Sequence, residues 1–223
     1  MARVLIRSLV TNGWESGLLT LRVTGEPIGG EDARENAWVE RVAQASSLRD
    51  LTLKFVILRA RKVDLDNLVR PAMRGLRTAG YFSKGFPELT SMTAIKEYGY
   101  DVGLTVESRH SACPGEPLLK LVFDRVPPST TTRDWLREWA STVDAAWSRP
   151  PVTECVWIAI TTPTTRSLID LMKPVIDGFE PILGRDPGGR SEFSPNDDLV
   201  NWLQISRCES GPMLEVTIGQ LPS

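Results

Sequence analysis

The chain contains an internal repeat, and this repeat limits the possible folds more than any other feature of the sequence. An offset of 103 residues sets RKVDLDNLVRPAMRGL at 61–76 over TTRSLIDLMKPVIDGF at 164–179 and aligns Arg70 with Lys173. The shared pattern is L-[VM]-[RK]-P-x-[MI]-x-G-[LF]. The period has the length of a small domain and is too long for the units of a solenoid. We therefore expect two similar halves that form an intramolecular pseudo-dimer.

The similarity extends upstream of the shared motif. The apolar run 51–58 lies over 154–161 at the same offset, and LLTLRV at 18–23 resembles LLKLVF at 118–123. Alternating apolar residues predict strands there. The fold class predicted is α+β, with a mixed sheet plus helices in each half. The predicted domains are 1–109 and 118–223, joined by a Gly/Pro/Ser linker at 110–117. The predicted helices are 31–45, 66–79, 131–147 and 167–183.

Composition excludes several classes of protein. The sequence has no apolar stretch near the roughly 20 residues of a membrane helix, and its first residues have too short an apolar region for a signal peptide. Cys113, Cys155 and Cys208 are widely spaced, which favours reduced thiols and a cytoplasmic location over a disulfide framework. His110 is the only histidine and lies in the predicted linker, which disfavours histidine-based catalysis.

The acidic residues are divided between the two copies of the motif. The first copy has Asp64 and Asp66 before its helix, where the second has Ser167 and Ile169. The second copy is followed by the acidic run Asn-Asp-Asp at 196–198. The first copy has no acidic pair in the matching place, only a glutamate at 88. This division suggests one metal site built from both halves.

The first acidic pair has a pattern suited to metal-assisted phosphoryl chemistry. If Asp64 and Asp66 end a strand, their side chains face the same way. The helix that follows offers free N–H groups to a phosphate, and two carboxylates can hold Mg²⁺ or Mn²⁺. A cation such as Arg70 or Lys173 would act on the phosphate side. The alternative interpretation of Asp66 is an ordinary helix N-cap.

Basic residues precede and follow this acidic pair. The chain is slightly negative overall, so binding of nucleic acid would need a local basic track. For Arg74 and Arg77, a solvated helix face is an equal alternative. The track consists of Arg59, Arg61, Lys62, Arg70, Arg74 and Arg77.

R-x-R-K-V-D-L-D-N-L-x-[RK], followed later by N-D-D-L-V, resembles the RusA family of Holliday junction resolvases. The first half matches at Asp64, Asp66, Asn67 and Leu68, with Arg70 where the family has Lys. The resemblance implies small α+β subunits, Mg²⁺-dependent cleavage of branched DNA, and a role in DNA recombination and repair. Asn67 and the basic track would then contact DNA.

The second half matches the same family in other positions. It matches at Leu171, Lys173 and Asp177, and again at Asn196-Asp197, with Asp198 as the neighbouring alternative for the catalytic carboxylate. It departs from the family at Ser167, Ile169 and Asp170, and the first half departs at Arg74.

Helix length favours one composite site over two separate ones. A helix of roughly 13 residues spans about 20 Å, so an acid after the helix would reach the acidic pair of the other half more easily than that of its own. Asp64, Asp66 and Asp197 would then complete one site, and the second site, with Ser167, Ile169 and Glu88, would be inactive. Alternatively, the long loop at 184–196 folds back within its own half and neither half has a full site.

We expect a monomeric, Mg²⁺-dependent, structure-selective DNA endonuclease with one composite site. Two alternatives remain open: a catalytically inactive RusA-like DNA-binding protein, and a protein-interaction module without nucleic acid. Trp202, beside the acidic run, is a candidate for base stacking.

Overall fold

The computed structural model describes residues 4–6, 20–24, 49–59, 62–78, 80–108, 111–128, 130, 132–189 and 191–222. For 4–6 and 20–24 it describes the backbone alone. The chain divides into two compact units, Met1–Ala112 and Cys113–Ser223. The predicted helix at 31–45 and His110 lie outside the described residues.

The described part of the first unit contains five strands and one helix. The strands are β1 (Val4–Ile6), β2 (Thr20–Thr24), β3 (Asp50–Ile57), β4 (Ser91–Tyr98) and β5 (Gly103–Glu107), and the helix is α1 (Leu65–Thr78).

The described part of the second unit contains four strands, three α-helices and a short 3₁₀ turn. The strands are β6 (Pro117–Phe123), β7 (Val156–Thr162), β8 (Val200–Arg207) and β9 (Leu214–Gln220). The helices are α2 (Arg133–Ala146), α3 (Leu168–Asp177) and α4 (Glu180–Leu183), and the 3₁₀ turn is Asp197–Leu199. The structure is therefore a mixed α/β fold, consistent with the predicted α+β class.

The two units have the same strand topology. In the first unit the order is β1-β2-β5-β3-β4, with β5 antiparallel to both neighbours and β3 parallel to β4. In the second it is β6-β9-β7-β8, with β9 antiparallel to both neighbours and β7 parallel to β8. Apart from β1, each strand has a counterpart with the same neighbours and directions, which is the topology expected of an internal duplication.

The core of the first unit lies between β3 and α1. Alternate residues of β3 are fully buried on the face that carries Phe55 and Ile57, and α1 buries Leu68, Met73 and Leu76. The helix ends at Gly80, which has a φ of +88°. There the N–H of Tyr81 bonds the carbonyl of Leu76 and the N–H of Gly80 bonds that of Arg77, which is the Schellman pattern.

In the second unit α3 packs against α2 through Trp139. The indole Nε1 of Trp139 donates to the carbonyl of Val175 at 3.1 Å, and its ring stacks on Phe123 at 3.9 Å. The predicted single helix at 167–183 is broken at Gly178, where α3 ends and α4 follows. A Cβ at Gly178 would lie 1.4 Å from Trp139 Cδ1, so the indole occupies the space that another side chain would need.

Among the described residues, no helix has both the length and the apolarity needed to cross a bilayer.

Candidate metal centre

The two aspartates of the first unit lie at the start of α1 and not at the end of a strand. β3 ends at Ile57, Asp64 comes immediately before the first helical residue, and Asp66 is in the first helical turn. The prediction that strand alternation sets their side chains was therefore wrong. Their position next to the free N–H groups of the helix still favours negative charge and anionic ligands nearby.

Asp64 is held at both its side chain and its backbone. Its carbonyl accepts the N–H of Leu68 at 3.3 Å, which makes it the first acceptor of the helix. Its carboxylate accepts a hydrogen bond from the side-chain amide of Asn67 at 3.0 Å. Asn67, predicted to contact nucleic acid, therefore contacts Asp64, and this contact limits the rotamers of the carboxylate.

The residue before Asp64 is held by a buried lysine that the sequence prediction missed. The ammonium of Lys96, in β4, donates to the carbonyl of Val63 at 3.2 Å and lies 5.9 Å from the centre of the Tyr98 ring. Lys96 is only 2% exposed. Lysine is rarely buried, so its position in a strand gave no signal in the sequence.

Asp66 is buried, with 3% of its surface exposed. The same position of α3 is occupied by Ile169, which is 4% exposed. A buried carboxylate is costly unless other groups compensate it, and the second unit shows that an apolar residue fits this position. The fold therefore does not require an acid here.

The second unit brings Asp197 to the middle of α3. Lys173 Nζ lies 2.8 Å from an oxygen of Asp197 and 2.9 Å from an oxygen of Asp177. The side chain of Asp197 is 13% exposed, compared with 33% for Lys173. Lys173 thus fixes the Asp197 carboxylate, and Asp198 lies half-buried in the same 3₁₀ turn.

The segment from 184 to 196 brings Asp197 back to its own helix. The N–H of Asn196 bonds the carbonyl of Gly184 at 2.8 Å, and Arg185 forms an isolated bridge with Pro195. The loop that begins at Gly184, after α4, therefore returns to the same place at Asn196. Asp197 therefore lies beside the middle of α3, and not at the far end of the helix from which the length of about 20 Å was taken.

Strand register identifies the residue of the first unit that corresponds to Asp197. Leu53 pairs with Ala94, and its counterpart Val156 pairs with Val200. Counting back three residues from these partners gives Ser91, the first residue of β4, in the first unit and Asp197, in the 3₁₀ turn before β8, in the second. Ser91 is buried, and its hydroxyl donates to Asp50 at 2.7 Å. The first unit therefore has a serine where the second has an aspartate.

The cation of α1 lacks the acidic neighbours of its counterpart. Arg70 corresponds to Lys173, but the residue four positions later is Arg74 instead of Asp177. The Nε of Arg70 is buried and has no hydrogen-bond partner among the described residues. Arg70 and Arg74 are both half-buried on α1.

Of the remaining basic residues, two described ones precede α1 and one lies in its last turn. Arg59 and Lys62 are exposed in the segment between β3 and α1, and Arg77 is half-buried in the last turn of the helix. Arg61 lies outside the described residues. The two exposed cations are accessible to an anionic ligand.

Two candidates are not part of this arrangement. Glu88 accepts hydrogen bonds from the hydroxyl and the N–H of Ser83, and the hydroxyl contact is the main reason that its pKa falls below its usual 4.5. Glu88 precedes β4 and contacts Ser83 within its own loop. Trp202 is only 4% exposed and packs edge-on against Trp157, so the suggestion that it stacks on bases was wrong.

Among the described residues, the carboxylates with the chemistry of metal ligands are Asp64 and Asp66 in the first unit and Asp197 in the second. Their oxygen atoms suit a hard divalent cation such as Mg²⁺ or Mn²⁺, which prefers carboxylate and water ligands. The burial of Asp66, at a position that accepts isoleucine, fits such a role.

No family model matches the chain, and no curated protein matches it significantly. The resemblance to the RusA family rests on the motif residues.

Proposed function

We propose that the protein is a metal-dependent endonuclease that hydrolyses phosphodiester bonds in branched DNA, with one active site to which both units contribute. Asp64 and Asp66 would provide two ligands of a divalent cation, and Asp197 would provide a third. The observation that carries the proposal is the complementary loss of acids. The first unit keeps aspartates where the second has Ser167 and Ile169, and the second keeps the acidic run at 196–198, for which the first has no matching acidic pair.

The buried residues support a single shared site more than two degenerate ones. The buried carboxylate at position 66 fits a role as a metal ligand, since the equivalent helix position of the second unit is apolar. Its counterpart Ile169 shows that the apolar alternative packs well. Lys173 likewise holds Asp197 in a fixed position in the second unit, which has Ser167 and Ile169 at the positions of the other two aspartates.

Each residue of the site has a separate role in this mechanism. Asn67 holds the Asp64 carboxylate, and Lys173 holds that of Asp197. The bound cation would activate water and offset the charge that develops on the leaving oxygen. Arg70, together with the N–H groups at the start of α1, would bind the phosphate. Arg59 and Lys62 are exposed and would contact the DNA backbone.

The test is cleavage of a synthetic four-way DNA junction in the presence of Mg²⁺ or Mn²⁺. We expect D64N, D66N and D197N each to reduce the cleavage rate by on the order of 100-fold or more. D170N is the matched control, because Asp170 is an exposed aspartate of α3. Comparing D197N with D198N identifies which of the two carboxylates acts.

Three results would contradict the proposal. Salt-dependent binding of the junction without cleavage would identify a catalytically inactive DNA-binding protein. The absence of both binding and cleavage would favour a protein-interaction module. Cleavage that persists in D66N and D197N would place the active site elsewhere.

A further inference from the structure

Among the described residues, Lys96 is the most deeply buried charged side chain. It is 2% exposed, and its ammonium donates to the carbonyl of Val63. Lys96 pairs with Phe55 across the parallel strands, so its side chain shares the face of the sheet that packs against α1. Burying an ammonium costs several kcal/mol unless other groups compensate it.

The carbonyl that Lys96 binds belongs to the peptide that leads into Asp64. Because a peptide unit is planar, the carbonyl of Val63 and the N–H of Asp64 move together. A hydrogen bond to that carbonyl therefore fixes the plane of the peptide before the first aspartate. Asn67 fixes the carboxylate of the same residue from the other side.

The second unit holds the corresponding peptide in a different way. Arg166 is the counterpart of Val63, and its carbonyl accepts a hydrogen bond from Arg207 at 2.8 Å. Arg207 also bonds the carbonyl of Thr164. Arg207 is the last residue of β8 and is half-buried, and desolvation lowers its pKa.

The position that corresponds to Lys96 is apolar in the second unit. Leu203 pairs with Ile158, the counterpart of Phe55, and it is fully buried. The segment before the helix can therefore be held by a cation at the end of the strand, without a charge in the core. The buried ammonium occurs only in the unit that also has the two aspartates.

We propose that Lys96 is a positioning residue for metal binding, which orients the peptide before Asp64 so that Asp64 and Asp66 can bind one divalent cation. The proposal rests on the metal site of the proposed function. Lys96 acts through Val63, whose peptide leads into Asp64.

The experiment measures Mn²⁺ affinity by isothermal titration calorimetry in wild type, K96L, K96R and R207M. K96L introduces the residue that the second unit has at this position, so the core remains filled. R207M is the matched control, because it removes the corresponding hydrogen bonds from a segment that has no metal ligand. Urea unfolding establishes that each variant is folded at the temperature of the titration.

We expect K96L to weaken Mn²⁺ binding by about 10–100-fold, as losses of groups that orient metal ligands do. K96R retains charge and donors and should stay within about 5-fold of wild type, and R207M within about 2-fold. A second readout is hydrogen exchange of the metal-free protein. The amide of Leu68, which bonds the Asp64 carbonyl, should exchange faster in K96L than in wild type, because the peptide before Asp64 is no longer fixed.

Each contrary result has a distinct meaning. If wild type binds Mn²⁺ and K96L binds it equally well, the metal site remains and the role of Lys96 is refuted. Equal losses in K96L and R207M would mean that both residues only stabilise the fold. If wild type binds no Mn²⁺, both the proposed metal site and the role of Lys96 fall.

Discussion

Asp66 and Ile169 occupy the same position of two equivalent helices, and both are buried. Each is the second residue of its helix, with 3% and 4% of its surface exposed. One position thus accepts either a carboxylate or a hydrocarbon within the same topology. The fold accepts either residue at this position, whereas the proposed metal site needs the carboxylate.

The pair predicts a trade-off between stability and metal binding. Replacing a buried charge by a well-packed apolar residue is often neutral or stabilising. We expect Asp66→Ile to raise the free energy of unfolding by roughly 1 kcal/mol or more and to abolish Mn²⁺ binding. The reverse change, Ile169→Asp, should lower the free energy of unfolding by about 3 kcal/mol, because it buries an uncompensated carboxylate.

Urea unfolding without metal, combined with calorimetric titration of Mn²⁺, tests both changes. Ile169→Val is the control for a small change of volume at the same position. A large loss of stability in Asp66→Ile would mean that the carboxylate serves the fold, and would remove the main support for the metal site.

Much of the fold could be predicted from the repeat. The aligned motifs predicted a helix starting at 66, and α1 starts at Leu65. The apolar alternation predicted a strand at 51–59, and β3 spans Asp50–Ile57. These elements are local, and their signals lie in the spacing of apolar residues. The identical strand order of the two units was not predicted, because strand pairing depends on contacts between distant residues.

The candidate site was harder to predict from the sequence than the fold. That Asp197 corresponds to Ser91 follows from the register of two parallel strands, which the sequence does not specify. The return of the chain beside α3 depends on the hydrogen bonds between Gly184 and Asn196. Lys96 was missed because a lysine in a strand is normally expected to face solvent.

The ion pair between Lys173 and Asp197 should contribute measurably to stability. Both groups are partly buried, so the pair is less screened than an exposed one. A double-mutant cycle with K173M and D197N should give a coupling energy of about 1 kcal/mol in low salt and less in 1 M NaCl. The measurement is urea unfolding of the four proteins.

The control is the pair formed by Lys54 and Glu97, which has the same distance of 2.8 Å but is more exposed. A cycle with K54M and E97Q should give about 0.3 kcal/mol. Equal coupling energies for the two pairs would mean that Asp197 is not held more firmly than a surface carboxylate.

Glu88 should make a pH-dependent contribution to stability. Its pKa in the folded protein lies below 4.5, chiefly because of the Ser83 hydroxyl. A group with a lowered pKa contributes its stability above the unfolded pKa and loses it as the pH falls through the folded value. E88Q should therefore be less stable than wild type at pH 7, and the difference should shrink as the pH falls below 4.5.

Urea midpoints of wild type and E88Q between pH 7 and pH 3 provide the measurement. S83A should show the same trend, because it removes the hydroxyl that lowers the pKa. A difference that stays constant with pH would mean that the contribution of Glu88 does not depend on its charge.

Gly178 should tolerate no side chain. A Cβ there would meet Trp139 at 1.4 Å, and the indole is fixed by its hydrogen bond to Val175. We expect Gly178→Ala to lower the free energy of unfolding by about 3 kcal/mol, at the upper end of overpacking costs. Gly188→Ala is the control, since its Cβ would approach Asp186 no closer than 3.6 Å. Thermal unfolding of both variants tests the difference, and equal melting temperatures would contradict it.

A single composite site predicts that the protein cuts one strand per binding event. Paired symmetric cuts need two complete sites, and the second would need acids where the chain has Ser167, Ile169 and Ser91. On a supercoiled plasmid that extrudes a cruciform, we expect nicked circles to accumulate first, with linear DNA appearing only later. Gel electrophoresis of a time course under single-turnover conditions separates the two products. Linear DNA formed at the same initial rate as nicked circles would mean that two active sites act together, and would exclude the asymmetric arrangement of aspartates proposed for this chain.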